Sequence, residues 1–121
     1  VRVPYRSTVV DGFEIRIGKG AKDNDELLRS HTTKFDLWLH AKDVSGSHVI
    51  IRNPGRKEIP ISTIEKVACI AAFYSKAKSE LLAAVIYTDR KYIRKTKGAT
   101  PGLVKVDKEK MILVEPKQSV N

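Results

Sequence analysis

Between residues 36 and 52 the chain reads DLWLHAKDVSGSHVIIR, two runs of patterned residues around a polar turn. Leu37 and Leu39 alternate with Asp36, Trp38 and His40, a period of two that predicts a strand. Residues 47–52 are largely β-branched and apolar, as strands tend to be. Residues 41–46 supply Asp, Ser and Gly, the usual turn formers. An antiparallel register with Leu39 opposite Val49 and Leu37 opposite Ile51 turns both pairs toward a core. The other face then sets His40 opposite His48, Trp38 opposite Ile50 and Asp36 opposite Arg52. A slip of one residue would exchange the two faces.

The same pattern reading extends along the chain. Residues 1–6 form a tail or a first extended segment, and residues 117–121 a frayed end. Residues 7–10 and 13–17 are β-rich runs around Asp11-Gly12, a strong hairpin signal. Asp23, Asn24 and Asp25 are candidate N-caps for a short helix near 25–30. Ser62-Thr63-Ile64-Glu65 has the form of a capping box, with Ser62 as N-cap of a main helix over about 62–78. Ala68, Ala71 and Ala72 are small enough to let that helix lie close against a sheet. Residues 81–88 predict a buried strand, and 103–106 and 111–114 two final strands. The expected fold is α+β, a twisted, mostly antiparallel sheet of about six strands with the main helix on one face. The length of 121 residues, without repeat or low-complexity tract, predicts one domain over 1–121.

Charge narrows the function. Lys and Arg number 23 against 14 Asp and Glu, a formal net charge of +9. Such a balance favours a polyanionic partner, nucleic acid or an anionic membrane surface. The plainer alternative is charge for solubility, or residence in an acidic particle. The charge is clustered: residues 90–105 hold six basic residues and no acidic one. They are Arg90, Lys91, Arg94, Lys95, Lys97 and Lys105, interleaved with Tyr92. Such residues neutralise phosphates, and Tyr92 is suited to stacking on an unpaired base. If 90–95 is extended, Arg90, Tyr92 and Arg94 share one face and Lys91, Ile93 and Lys95 the other. The competing reading is an edge strand whose lysines block aggregation. Gly18-Lys19-Gly20-Ala21-Lys22 is either a phosphate cradle or a tight turn with incidental charge, and it is not a Walker A loop.

Other chemistry is limited. The single Cys69 forms no internal disulfide, reads as a small buried hydrophobe, and fits a reducing cytosol. No apolar run approaches the ~18 residues of a membrane-spanning helix. The N-terminus has no signal-peptide pattern and no initiating Met, as expected of a processed protein or a piece of a longer one. Asp36, His40, Asp43 and His48 are residue types that bind metals or transfer protons, but their spacing fits no metalloenzyme motif. Ser45 and Ser47 near His48 lack an identifiable oxyanion site or orienting group. No catalytic residue, metal ligand or cofactor is therefore assigned. A small hydrolase on the Asp36/His40/His48 face stays as the enzyme alternative, and a module docking on an acidic protein as a third. Trp38 is either a stacking platform or a core plug beneath a second layer.

The string W-x-H-A-x-D-x-x-G-S-H, preceded by a Gly-rich strand and Asn24-Asp25, resembles the NFACT-R domain. That module occurs in the NFACT proteins, ribosome quality-control factors of the RqcH and NEMF type. The resemblance runs from about residue 11 to 116, with further landmarks at Gly12, Gly18, the Ala-rich 68–75 segment and Pro101-Gly102. It implies a non-catalytic RNA-binding module, with tRNA or large-subunit ribosomal RNA as ligand, on the ribosome in the cytoplasm. In the full-length family the domain works beside NFACT-N, helix-hairpin-helix and coiled-coil segments, and C-terminal tails are added to stalled chains. None of those companions is visible in these 121 residues, so a stand-alone protein and a targeting domain beside an RNA-modifying enzyme are both open. The candidate RNA-binding residues are Lys19, Lys22, Trp38, His40, His48, Arg52, Arg90, Lys91, Tyr92, Arg94, Lys95 and Lys97.

Overall fold

A computed structural model describes residues 2–120. Strands β1 (Tyr5–Val10) and β2 (Phe13–Gly18) precede helix α1 (Ala21–Ser30). Strands β3 (Leu37–Ala41) and β4 (Val49–Ile51) follow, then helix α2 (Ile61–Phe73) and strand β5 (Ala83–Asp89). A 3₁₀ turn (Arg90–Tyr92) leads into β6 (Ile93–Arg94), β7 (Lys105–Val106) and β8 (Lys110–Val114). Six strands make one antiparallel sheet in the order β1-β2-β4-β3-β5-β8, and β6 and β7 pair apart from it. This is the α+β architecture that the hydrophobic pattern predicts.

The register of the central pair follows the alternation: Leu37 faces Ile51, Trp38 faces Ile50 and Leu39 faces Val49. Leu37, Leu39, Val49 and Ile51 pack against Val67, Ala68 and Ala71 of α2. The small residues of α2 let the helix backbone approach the sheet, which buries both surfaces almost completely. On the reverse face, Trp38, Ile50 and Ile86 meet Leu27 and Leu28 of α1 and Ile93 of β6. The sheet is thus covered on both sides, and Trp38 is a core plug beneath a second layer.

Several boundaries differ from the sequence reading, each for a physical reason. Helix α1 begins at Ala21, so Asn24 and Asp25 lie within it and are not its caps. Helix α2 ends at Phe73 because the chain turns to hold the 45–47 segment: Ser47 N–H donates to Tyr74 O and Lys76 N–H to Ser45 O, both at 2.9 Å. The capping box does not form. Pro60 occupies the N-cap, Ser62 lies in the first turn, and Thr63 Oγ1 donates to Asp11 Oδ2 at 2.7 Å. Strand β5 starts at Ala83, leaving Leu81 and Leu82 exposed. Residues 90–95 are a turn and then a short strand, so the two alternating faces expected of an extended run do not exist.

Ser62→Ala is therefore expected to shift stability by less than ~0.5 kcal/mol, where loss of a working N-cap costs about 1. Thr63→Val, which removes the bond to Asp11, is expected to cost about 1 kcal/mol. Urea unfolding of the two variants checks both values; a larger loss for Ser62→Ala than for Thr63→Val would contradict the assignment.

Candidate nucleic-acid interface

The landmark residues meet in one hydrogen-bond chain that runs from the buried Trp38 out to Lys95 at the surface. Trp38 Nε1–H donates to His48 Nδ1 at 3.0 Å. An indole N–H only donates, so His48 Nδ1 accepts and its proton sits on Nε2. Nε2–H then donates to Gly102 O at 2.9 Å. Gly102 N–H donates to Asp25 Oδ1 at 3.0 Å, across 77 residues of sequence. Lys95 Nζ lies 3.1 Å from the same Asp25 oxygen and donates to the carbonyls of Thr100 and Leu103. From α1, Asn24 Oδ1 accepts the His48 backbone N–H at 3.1 Å, and a side chain on Gly18 would collide with that oxygen. Gly102 sits at φ +82°, a backbone conformation that favours glycine, and lies close against Ala21.

His40 lies on the rim of this network, its ring stacked on Trp38 with centroids 5.7 Å apart. Its Nδ1 is 2.6 Å from Ala41 O and its Nε2 3.1 Å from Gly46 O. Burial holds its pKa below the usual histidine value, with the two carbonyls partly opposing the shift. Burial, then the neighbouring His40, pushes His48 down to about 3. Beside His40 a cleft of about 990 Å³ opens between the 43–47 turn and residues 100–106.

The structure divides the sequence-predicted residues into two groups. Trp38 and His48 are each 1 % exposed, so the expectation that they touch RNA is corrected: they are interior residues that hold loops together. Arg52 is half-buried, with Nε 2.9 Å from Asp36 Oδ2 in an ion pair that lacks hydrogen-bond alignment. Arg90 is spent internally, donating to Thr32 Oγ1, Leu28 O and Ile93 O, and tying the end of α1 to β6. Arg94 is exposed but holds Asp107 through two bonds of 2.9 and 2.8 Å. Lys19, Lys22, Lys91 and Lys97 are exposed and in no ion pair among the described residues. Tyr92 is half-buried in the 3₁₀ turn, with the ammonium groups of Lys91 and Lys108 each 5.2 Å from its ring centre.

Folding gathers residues that are distant in sequence. Lys19 and Lys22 flank the start of α1, and the loop carrying Lys97 is pinned to that end through Gly102, Asp25 and Lys95. No side chain caps the first N–H groups of α1, whose dipole adds positive potential there. Lys76, on the wall of the cleft, joins the same region and was not legible in sequence, because nothing local links it to residue 22.

A family model described as the NFACT protein RNA binding domain matches residues 4–108. The chain belongs to the NFACT-R family. The Rqc2 homolog RqcH of Bacillus subtilis is 39% identical over 112 residues, covering 93% of this chain and 19% of that protein. The Rqc2 homolog RqcH of Streptococcus suis is 36% identical over 114 residues, covering 93% and 20%. The chain thus spans about a fifth of the length of these curated relatives. A solved structure of the C-terminal of the fibronectin/fibrinogen-binding protein from Streptococcus suis superposes with a TM-score of 0.87 at 34% identity, covering 97% of this chain and 47% of that one.

The NFACT-R landmarks here are mostly scaffold: Gly18, Asn24, Asp25, Trp38, His48 and Gly102 bond or pack against one another. The Asp36/His40/His48 face does not converge. Asp36 is fully buried at the far end of β3, accepting from Thr33 N–H and Asn53 N–H, with Trp38 between it and His40. Among the described residues no group of three or more His, Cys, Asp or Glu is placed to hold a metal ion. No helix of the NFACT-R domain, among those residues, is long and apolar enough to cross a membrane.

The neutral His48 makes stability pH-dependent with a definite sign. Its folded pKa is depressed, so the unfolded chain takes up a proton first as pH falls below about 6.5. Stability is flat above that value and declines toward pH 3, by at most ~1.4 kcal/mol per pH unit from this residue. Urea midpoints at pH 7, 6 and 5 are expected to fall more steeply for wild type than for His48→Gln. Parallel slopes would show that His48 is not held neutral.

Proposed function

We propose that this NFACT-R domain is a non-catalytic RNA-binding module that grips phosphates at the α1 end of the molecule, with tRNA or large-subunit ribosomal RNA as its ligand. The observation that carries the reading is the pair of exposed, unpaired lysines Lys19 and Lys22 at the uncapped start of α1, with the loop that carries Lys97 tied to that helix by the Gly102–Asp25–Lys95 contacts. Cations without acidic partners are what a phosphate backbone recruits, and the electrostatic field of a helix N-terminus adds to them. His40 and the adjoining cleft lie beside this surface and offer room for an unpaired nucleotide. The family description supports RNA as partner, and the Rqc2 homolog names of the relatives lend support to the rest of the proposal, work on the ribosome in the cytoplasm in quality control or translation.

Geometry separates cations that are free to meet a phosphate from those already engaged within the fold. Arg94 and Lys95 already hold Asp107 and Asp25, so replacing them perturbs the loop as well as the charge. Lys19→Ala/Lys22→Ala/Lys97→Ala removes three unpaired charges instead. Binding of tRNA to the triple variant is expected to weaken at least ~10-fold at low salt, with the slope of log affinity against log salt reduced by about 3. Titration of labelled tRNA and of a large-subunit rRNA fragment at several salt concentrations measures both and ranks the ligands. An unchanged affinity and slope, with the fold intact by circular dichroism, would remove the α1 end as the contact surface.

A further inference from the structure

We infer that the domain carries a second RNA contact, a groove for unpaired RNA built on Phe35 and Tyr92. It lies at the other end of the β3–β5 ladder from the α1 surface, where Leu37 pairs with Asp89, and on the α2 side of the sheet. This inference rests on the reading of the domain as an RNA binder and adds a site to it.

The groove has a volume of about 620 Å³, within the roughly 300–1,000 Å³ of small-ligand sites. Phe35, Tyr87 and Tyr92 line it, with Lys57, Lys108 and Lys110 along its edge. Two of its rings stand under cations. Arg56 Cζ lies 3.7 Å from the centre of the Phe35 ring and Lys34 Nζ 5.2 Å from it. Lys91 and Lys108 bracket Tyr92 in the same way. Lys34, Arg56, Lys57, Lys91, Lys108 and Lys110 make no ion pair among the described residues, unlike Arg94 and Lys95. Asp89 and Glu109 also line the groove, against Lys57, Lys108 and Lys110 in its lining and Lys34, Arg56 and Lys91 beside its rings.

The groove is held in shape before any ligand arrives. Phe35 precedes the buried Asp36, whose Oδ1 accepts the Asn53 N–H at 2.7 Å. Asn53 in turn bonds the 53–57 turn through both ends of its amide, to Lys57 O and Lys57 N–H. Arg56 sits in that turn at φ +51°, a conformation a non-glycine residue keeps only when its surroundings demand it. The turn thereby sets the Arg56 backbone where its guanidinium reaches the ring. Exposed aromatic rings set among unpaired cations are the equipment of single-strand binders: the ring faces take bases of any identity and the cations follow the backbone. Duplex RNA keeps its bases stacked inside and cannot use such rings, so the predicted ligand is unpaired.

The test uses the 121-residue chain with a short oligo-uridylate and a blunt duplex RNA, at low and moderate salt. Phe35→Ala and Tyr92→Ala are expected to weaken oligo-uridylate binding roughly 5- to 150-fold each and to leave duplex binding unaltered. Lys108→Ala/Lys110→Ala, on the surface and without folding consequences, is expected to lower the oligo-uridylate salt slope by about 2. The Lys19/Lys22/Lys97 triple variant is expected to retain the oligo-uridylate. Unaltered oligo-uridylate binding in Phe35→Ala, Tyr92→Ala and Lys108→Ala/Lys110→Ala overturns the groove. So does wild type that binds tRNA but no oligo-uridylate, an outcome that leaves the α1 surface standing. Capture of poly-glutamate in preference to oligo-uridylate overturns it too, in favour of an acidic protein partner.

Discussion

The indole N–H of Trp38 can only donate, and it donates to His48 at the centre of a fully buried face. That one contact decides the histidine tautomer, and the tautomer decides that Gly102 O is held by a donor. Gly102 then presents its own N–H to Asp25, which lies beside Lys95. A polar chain of this length is tolerable in an apolar interior because each member has a partner. Breaking it at the buried Trp38–His48 bond leaves a buried donor and acceptor unpaired, at a cost of about 1–3 kcal/mol per group. The helix start, the 43–47 turn and the 95–102 loop therefore keep their relative positions together.

Electrostatics follows from this scaffold. The net charge of +9 is not spread as a single sheet of lysines. Part of it is consumed internally: Arg90 satisfies carbonyls at the end of α1, Arg52 offsets the buried Asp36, and Arg94 and Lys95 fasten the basic segment to the body. Of the cations without an ion pair among the described residues, Lys19 and Lys22 stand at the start of α1, and Lys57, Lys108 and Lys110 line the Phe35–Tyr92 groove. The residues that mark the family are mainly those that build the surface, and the cations that meet solvent are different residues.

The period-two alternation of residues 36–52 was enough to predict the β3–β4 register, the Asp36–Arg52 pair and the facing histidines, whose rings lie 5.1 Å apart. Alternation succeeds there because the two faces of the strands bury different partners, the small residues of α2 on one side and Leu27 and Leu28 of α1 on the other, and a slip of one residue would exchange them. It failed where side chains bond across the fold. Ser62 has the spacing of a cap, but Asp11 reaches the next residue, Thr63, and Pro60 takes the N-cap. Asn24 and Asp25 have cap chemistry, but the partners available to them after folding are His48 and Gly102.

Local patterning by itself determined the strands, the two helices, the basic balance and the family resemblance, because each depends on residues adjacent in sequence. Tertiary structure alone decided which charges are available. A lysine beside another lysine in sequence says nothing of an aspartate many residues away, and ion pairing is set by distance in space. The same holds for aromatic rings: Trp38 was sealed by α1 and Tyr92 was left half-exposed, according to what the completed fold laid over each.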